Sequence, residues 1–367
     1  MAGAKRPDAW IIIITMCILA IGIVMVYSAS YATAGETIND TYFFVKRQLL
    51  WALVGLVGMY VMSRIDYHIW RLWALPGYLL AIALLGLVLV VGGDVMGAQR
   101  WIHVGPLSMQ PSEFAKLALI NFLAAYLASR RADIERFING FALPLGLVLL
   151  AVALIMLEPD LGTSVAIIGI AVMMLYAAGT RMRNIVMLAV AAVPAVYVLI
   201  RVAPYRMRRF TAFINPWNDP LDSGWNIIQS LLAIGSGGLF GLGLGASRQK
   251  YHYLPEQYTD FIFAILAEEL GLIGAVTLML LFLVLAWRGY RAALRAPDLF
   301  GCLLAVGITT MIALQAFLNI AVVCSIVPAT GITLPLVSAG GSSLSITLAG
   351  LGVLLNISAA GVSRKEG

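Results

Sequence analysis

Runs of about 20 apolar residues, the length that crosses a bilayer as a helix, return from one end of this chain to the other. They restrict its fold more than any other feature. In hydrocarbon every backbone N–H and C=O must be satisfied within the spanning structure, which leaves helices or a closed barrel. Segments this continuously apolar read as helices, and the sequence yields ten: 9–29, 47–63, 74–92, 111–129, 139–157, 162–179, 184–203, 260–286, 300–325 and 339–360. The span at 111–129 carries Glu113 and Lys116; that at 260–286 carries Glu268 and Glu269, at least one of which must face the interior. Only 11% of the 367 residues are charged, against about 25% in soluble domains, so no separate soluble domain is expected. The expected architecture is a single all-α membrane domain over residues 1–367. Cys17, Cys302 and Cys324 all lie in apolar runs, with neither a disulfide nor a zinc spacing. Lys5 and Arg6 precede the first run, but no convincing small-residue cleavage site follows it, so a retained first helix is expected.

The net charge of +6 is not a nucleic-acid signal, because the basic residues follow the spans. With the N-terminus cytoplasmic, cytoplasmic segments hold Lys5, Arg6, Arg64, Arg71, Arg130, Arg131, Arg136, Arg181, Arg183, Arg288, Arg291, Arg295, Arg364 and Lys365. The short external loops hold Lys46, Arg47 and Arg100. The other external basic residues fall in or beside one long loop, 204–259, where such charges count little in the positive-inside rule. Both termini are therefore expected in the cytoplasm and the long loop outside. Within that loop, Trp225 to Ile234 has helical apolar spacing and reads as a short amphipathic helix at the interface. The glycine-dense GSGGLFGLGLG after it lacks the GK[ST] of a phosphate loop and reads as a packed or flexible turn.

Ionisable residues at membrane depth are costly, and each is a functional candidate. Glu113 and Lys116 lie three apart on one helix face: a self-neutralising pair, or the lining of a cavity. Asp160, in Glu158-Pro159-Asp160-Leu161-Gly162, is placed to cap the next helix and equally to border the same cavity. Asp260 stands where the long loop meets the eighth span; it is either a cap or a partly desolvated general base. Ser338-Ala339-Gly340-Gly341-Ser342-Ser343 opens the last span, where backbone amides attract anions and small residues also allow close packing. With Arg100, these groups share one address at the external face. Carboxylates, basic groups and a glycine-rich helix start point to a phosphorylated substrate on the outer leaflet.

At these residues the sequence resembles the SEDS family (shape, elongation, division and sporulation) of bacteria. The resemblance is carried by VMVYSAS (24–30), GAQRWIHVGPLSMQPSEFAKLAL (97–119), EPDLGTS (158–164), the stretch 213–274 containing YLPEQYTDFIF, and PATGITLPLVSAGGSSL (328–344). It implies ten transmembrane helices and peptidoglycan glycosyltransferase activity on lipid II, beside a class B penicillin-binding protein and other membrane proteins of a division or elongation complex. It also implies that Asp260 is the essential aspartate. Glu113 and Lys116 match the family's cavity-lining pair, Asp160 its aspartate between spans five and six, and Arg100 a basic residue. SRQKYHYLPE looks more like the division and sporulation branch than the elongation branch. Tyr258 replaces the usual histidine of the Asp260 motif, and Ala339 a frequent tyrosine.

The implied reaction joins a sugar 4-hydroxyl to an anomeric carbon with inversion and release of undecaprenyl diphosphate. Asp260 is the expected base. Lys116 and Arg100, helped by Arg47 or a divalent cation such as Mg²⁺ or Mn²⁺, are the expected diphosphate partners, with Ser342 and Ser343 at the helix start. Asp260 itself is the expected ligand if a metal is held. No organic cofactor or nucleic acid is expected. The rival readings are a lipid II flippase or other transporter, and a non-catalytic scaffold for the transpeptidase.

Overall fold

The computed structural model describes residues 7–37, 39–95, 98–104, 107–251 and 253–362. The apolar runs become α1 (Ala9–Thr37), α2 (Phe43–Arg64), the four-residue α3 (Ile69–Leu72), α4 (Ala74–Val91), α5 (Pro111–Ser129) and α6 (Leu143–Leu157). They continue as α7 (Leu161–Ala178), α8 (Met182–Val202), α9 (Pro204–Ile214), α10 (Trp225–Gly237), α11 (Ile262–Leu294), α12 (Leu299–Val323) and α13 (Gly341–Val362). Among the described residues, 9 helices are long and apolar enough to cross a membrane. The tenth expected span is α5, whose 19 residues are less apolar because Glu113, Lys116 and Asn121 lie in it. All three are buried, for α5 packs among α4, α7 and α12. Charges that would be costly in lipid are here inside protein.

α12 and α13 form the centre; α12 meets α5, α7 and α11, and α13 lies along α2. At the opposite extreme, α8 buries only Asn184 and touches only α7 and α9 appreciably. At one end of the bundle the start of α1 meets α11 and α13. Asp8 pairs with Arg288 at the end of α11, and its backbone N–H donates to Ser358 of α13 at 3.1 Å. At this same end Asp298 caps α12 by accepting from Gly301 N at 2.8 Å and bonds the hydroxyl of Tyr67 between α2 and α3.

The other end carries the irregular structure. A small antiparallel sheet, β1 (Gly93–Val95), β2 (Ala98–Val104) and β3 (Leu107–Met109), joins α4 to α5, with Trp101 opposite Gly93 and Ile102 opposite Met109. It adds a β element to a bundle read from sequence as wholly helical. The long loop is structured too, and holds two helices, α9 and α10, rather than one. α10 buries Gln229 and Ser230, while Leu231 and Leu232 are exposed; Ser230 donates to the carbonyl of Val323 at 2.8 Å. It buries Ile227, Ile228 and Ala233 as well, so its apolar residues are divided between the protein and an outward edge at Leu231 and Leu232.

α11 is broken at Gly271 (φ 67°, ψ −167°), giving a short limb, 262–270, and a long one, 272–294. A helix break leaves carbonyls on one side and amides on the other without partners. The glycine-rich turn after α10 supplies both. Leu242 and Gly243 N–H donate to the carbonyls of Glu268 and Glu269 at 3.0 Å each, while Leu272 and Ile273 N–H donate to Gly238 and Leu239 at 2.9 and 3.2 Å. The turn completes a helix interrupted inside protein, as irregular backbone at such depth requires.

Candidate active site

The short limb of α11 has a purpose in the architecture: it sets the residues just before it against the starts of α5, α7 and α13. Asp260 precedes the limb by two residues. Its carbonyl accepts from Asn319 Nδ2 of α12 at 2.8 Å, and the same nitrogen donates to Ile332 at 2.7 Å. Ser338 Oγ donates to the carbonyl of Thr259 at 2.6 Å, and Ala339 N–H to that of Tyr258 at 2.9 Å. These bonds fasten the aspartate motif to the turn that opens α13, two stretches about 80 residues apart in the chain. Gly331 passes beside the carboxylate; a Cβ there would lie 3.5 Å from Asp260 Oδ2.

Above this junction is a polar cavity of ≈ 670 Å³. Asp260, Glu256 and Thr259 line it from the α11 approach, Arg100 and Trp101 from the sheet, Gln110 from the N-cap of α5, and Tyr205, Arg208 and Arg209 from α9. Gly331 and Thr333 of the α12–α13 connection, and Gly340 and Ser343 of the α13 start, complete the wall. Burial raises the Asp260 carboxyl from its ordinary 3.8 to about 7, and the negative charges of Glu256 and Asp160 act in the same direction. Arg209 and Arg100 pull it down. An acid poised near neutrality between carboxylates and guanidiniums is suited to accept a proton and give it up again.

The other predicted residues have distinct fates. Arg100 is in the wall, anchored by Nε to the carbonyl of Glu158 at 2.9 Å and by Nη2 to that of Pro159 at 2.6 Å. Asp160 is the N-cap of α7: Oδ1 accepts from Thr163 N–H at 3.0 Å and Oδ2 from Thr163 Oγ1 at 2.8 Å. It is buried, and acts on the site through its charge rather than by forming the wall. Ser343 lines the cavity, whereas Ser342 is buried beside it. Arg47 is exposed and donates to Ser108 Oγ at 2.6 Å, outside the wall. Glu113 and Lys116 pair at 2.8 Å with side-chain exposures of 7% and 0%, so the lysine ammonium is occupied inside the bundle and does not border this cavity.

Sequence reasoning missed Arg208, Arg209, Tyr205 and Glu256. Arg206, Arg208 and Arg209 on one short segment were a usable signal, but their helix, α9, was hidden in what read as loop. Glu158 was missed as well. Its carboxyl is fully buried without a hydrogen-bond partner, and burial, then the charge of Asp160, pushes it up to about 8 against the pull of Arg100. Among the described residues no three His, Cys, Asp or Glu side chains converge as a metal cage. Glu256, the carboxylate that acts most strongly on Asp260, is engaged by Thr259 Oγ1 at 2.6 Å. The described residues alone therefore offer no preformed cage for a divalent cation.

The class that fold and site define is a helical membrane bundle whose broken helix delivers a near-neutral carboxyl to an arginine-lined cavity. The chain belongs to the FtsW/RodA/SpoVE family of cell cycle proteins, whose family model matches residues 8–362. It is 50% identical over 354 residues to stage V sporulation protein E of Bacillus subtilis (strain 168), covering 96% of this chain and 97% of that one. It is 45% identical over 361 residues to a probable peptidoglycan glycosyltransferase FtsW of Geobacter sp. (strain M18), covering 98% of each. Among solved structures it superimposes on a chain of a peptidoglycan synthase complex that coordinates polymerization and crosslinking. That match has 33% identity and a TM-score of 0.79, over 96% of this chain and 97% of that one. The rod shape determining protein RodA of Thermus thermophilus gives a TM-score of 0.69 at 31% identity, over 98% and 97%.

Proposed function

We propose that this chain is a peptidoglycan glycosyltransferase that polymerises lipid II at the outer face of the bacterial cytoplasmic membrane. The observation that carries the reading is Asp260, poised near neutral pH in a cavity that also presents Arg100, Arg208 and Arg209. In the proposed step Asp260 takes the proton of the acceptor sugar's 4-hydroxyl as that oxygen attacks the anomeric carbon of the donor glycan. The bond from that carbon to the diphosphate oxygen breaks, the electron pair leaves with undecaprenyl diphosphate, and configuration inverts from α to β. The arginines stabilise the charge that gathers on the leaving group, which fixed donors do without reorganising. They take the role that sequence reasoning gave to Lys116. Gly340 and Ser343 at the start of α13 add backbone dipoles of the same sign. A divalent cation, if the reaction uses one, would be held chiefly by the substrate's phosphates, with Asp260 as a single protein ligand.

Both termini lie at the cytoplasmic end and the cavity at the outer end in this reading, as the distribution of Lys and Arg supports. A class B penicillin-binding protein is the proposed partner, cross-linking the strands as they emerge; the likeness to a chain of a polymerization and crosslinking complex supports this. The experiment is incubation of the purified protein with labelled lipid II in detergent and in vesicles. Glycan polymer from the wild type and none from Asp260→Asn is the expected result. Leaflet exchange without polymer would make it a flippase, and neither activity a scaffold.

A further inference from the structure

Behind the active site, at the break in α11, lies a charged cluster that the mechanism does not use. Lys250 and Glu269 are fully buried, with Nζ and Oε1 3.0 Å apart and both side chains 0% exposed. Burying such a pair costs more than a surface pair returns, so a bare stabilising role is a weak explanation for it. The details show where its geometry leads. Lys250 Nζ also donates to the carbonyl of Gly245 at 2.5 Å and stands 4.7 Å over the ring of Tyr31 in α1. Glu269 accepts from Ser28 Oγ of α1 at 2.6 and 2.7 Å and from Ser247 N–H at 3.3 Å. Adjacent Glu268, also buried, accepts from Arg248 N–H at 3.0 Å and from Ser247 Oγ. Both glutamates end the short limb whose other end follows Asp260. The carbonyl of Lys250 accepts from Gln257 Nε2 at 2.8 Å, and that amide also donates to Ala29 of α1 at 3.1 Å. Lys250 therefore grips the limb at its far end by its side chain, and the Asp260 approach at its near end by its backbone.

We propose that the Lys250–Glu269 pair is a positioning latch that fixes the limb, and with it Asp260, between α1 and the glycine turn. This rests on Asp260 being the reacting base. Lys250 touches no wall of the cavity, so the latch acts on the rate through the aspartate and leaves substrate binding to the arginines. A base displaced by about 1 Å loses up to two orders of magnitude in rate.

The test uses the full chain carrying Lys250→Met with Glu269→Gln, which removes both charges and leaves neither one buried alone. Melting of the double variant in detergent is expected within a few degrees of wild type, whereas Lys250→Met alone melts lower. Hydrogen exchange of amides in 256–268 is expected to rise about tenfold, with no change in α12 or α13. With lipid II, kcat is expected to fall about tenfold or more while KM stays within about twofold. A double variant with wild-type exchange overturns the latch, as does raised exchange with wild-type kcat, or a loss confined to KM. Wild-type protein that makes no polymer overturns the glycosyltransferase reading, and the exchange result still decides whether the pair holds the limb.

Discussion

As the proposed base, Asp260 must meet two opposed requirements: it has to sit where water is scarce, and it has to ionise near neutral pH. Raising its carboxyl from 3.8 to about 7 makes the ionised form up to ~4 kcal/mol more costly in the fold than in the unfolded chain. The sign follows. The protonated form is the one the fold favours, so its contribution to stability is complete below about pH 4 and is lost as pH rises through about 7. Activity runs the other way, since only the carboxylate accepts a proton. Polymerisation should therefore rise with pH around a midpoint near 7 and level off above it, read as kcat against pH. Asp260→Asn should make no polymer, yet melt higher than wild type at about pH 8, the advantage shrinking towards about pH 5. A flat rate profile across that range, or a variant less stable than wild type at every pH, would remove Asp260 from the role of base. The sequence made this residue legible because an acid directly before a long apolar run has few neutral explanations. Lys116 was harder. Helical spacing tells that Glu113 and Lys116 share a face, but not whether that face borders a cavity or neighbouring helices, and the packing of α5 against α4, α7 and α12 decides it.

Ten spans were readable because lipid demands long apolar runs, and every one of them reappears as a helix, although α1 and α11 each run eight residues beyond the expected end. Elements at the cavity end were not readable by that signal. Two strands of the sheet are 3 residues long and the third 7, too short to show a period, and they are paired by contacts with one another rather than by their own pattern. The break in α11 was hidden for a different reason: the apolar run resumes directly after Glu268 and Glu269, and one glycine inside a long helical pattern does not by itself announce a break. What makes the break is the approach of a second segment. A Cβ on Gly271 would lie 2.3 Å from Gly241 N, and one on Gly241 would lie 2.1 Å from the carbonyl oxygen of Glu269, both at positive φ. Gly241→Ala should accordingly lower stability by on the order of 2–3 kcal/mol or more, combining a left-handed backbone with a backbone clash. Gly86→Ala is the control. That glycine sits in α4 with nothing within 4 Å of the added methyl, so the change should be neutral or slightly stabilising. Melting in detergent compares the two, and equal behaviour would mean that the turn and the limb are not locked together.

For the molecule as a whole, the difference between its two ends carries the functional argument. At one end Asp8 ties the start of α1 to Ser358 of α13 and Arg288 of α11, and Asp298 ties the start of α12 to Tyr67, so that this end is closed by polar contacts between elements. At the other, the sheet, α9, α10 and the connection before α13 surround the arginine-lined cavity. Lys and Arg crowd the closed end, and positive charge is retained on the cytoplasmic side during insertion. The cavity should then open to the outside, which is where a lipid-linked sugar must be joined to a growing wall strand. Single cysteines report this directly, once Cys17, Cys302 and Cys324 have been replaced. Ser223→Cys, on the cavity wall, should react with a membrane-impermeant maleimide in intact spheroplasts. Asp133→Cys, in the turn between α5 and α6 at the closed end, should react only after the membrane is permeabilised. The reverse pattern would put Asp260 in the cytoplasm, on the wrong side of the membrane from the polymer. No rearrangement of arginines within the cavity could then rescue the glycosyltransferase reading, because the geometry of the site would be intact and its substrate out of reach.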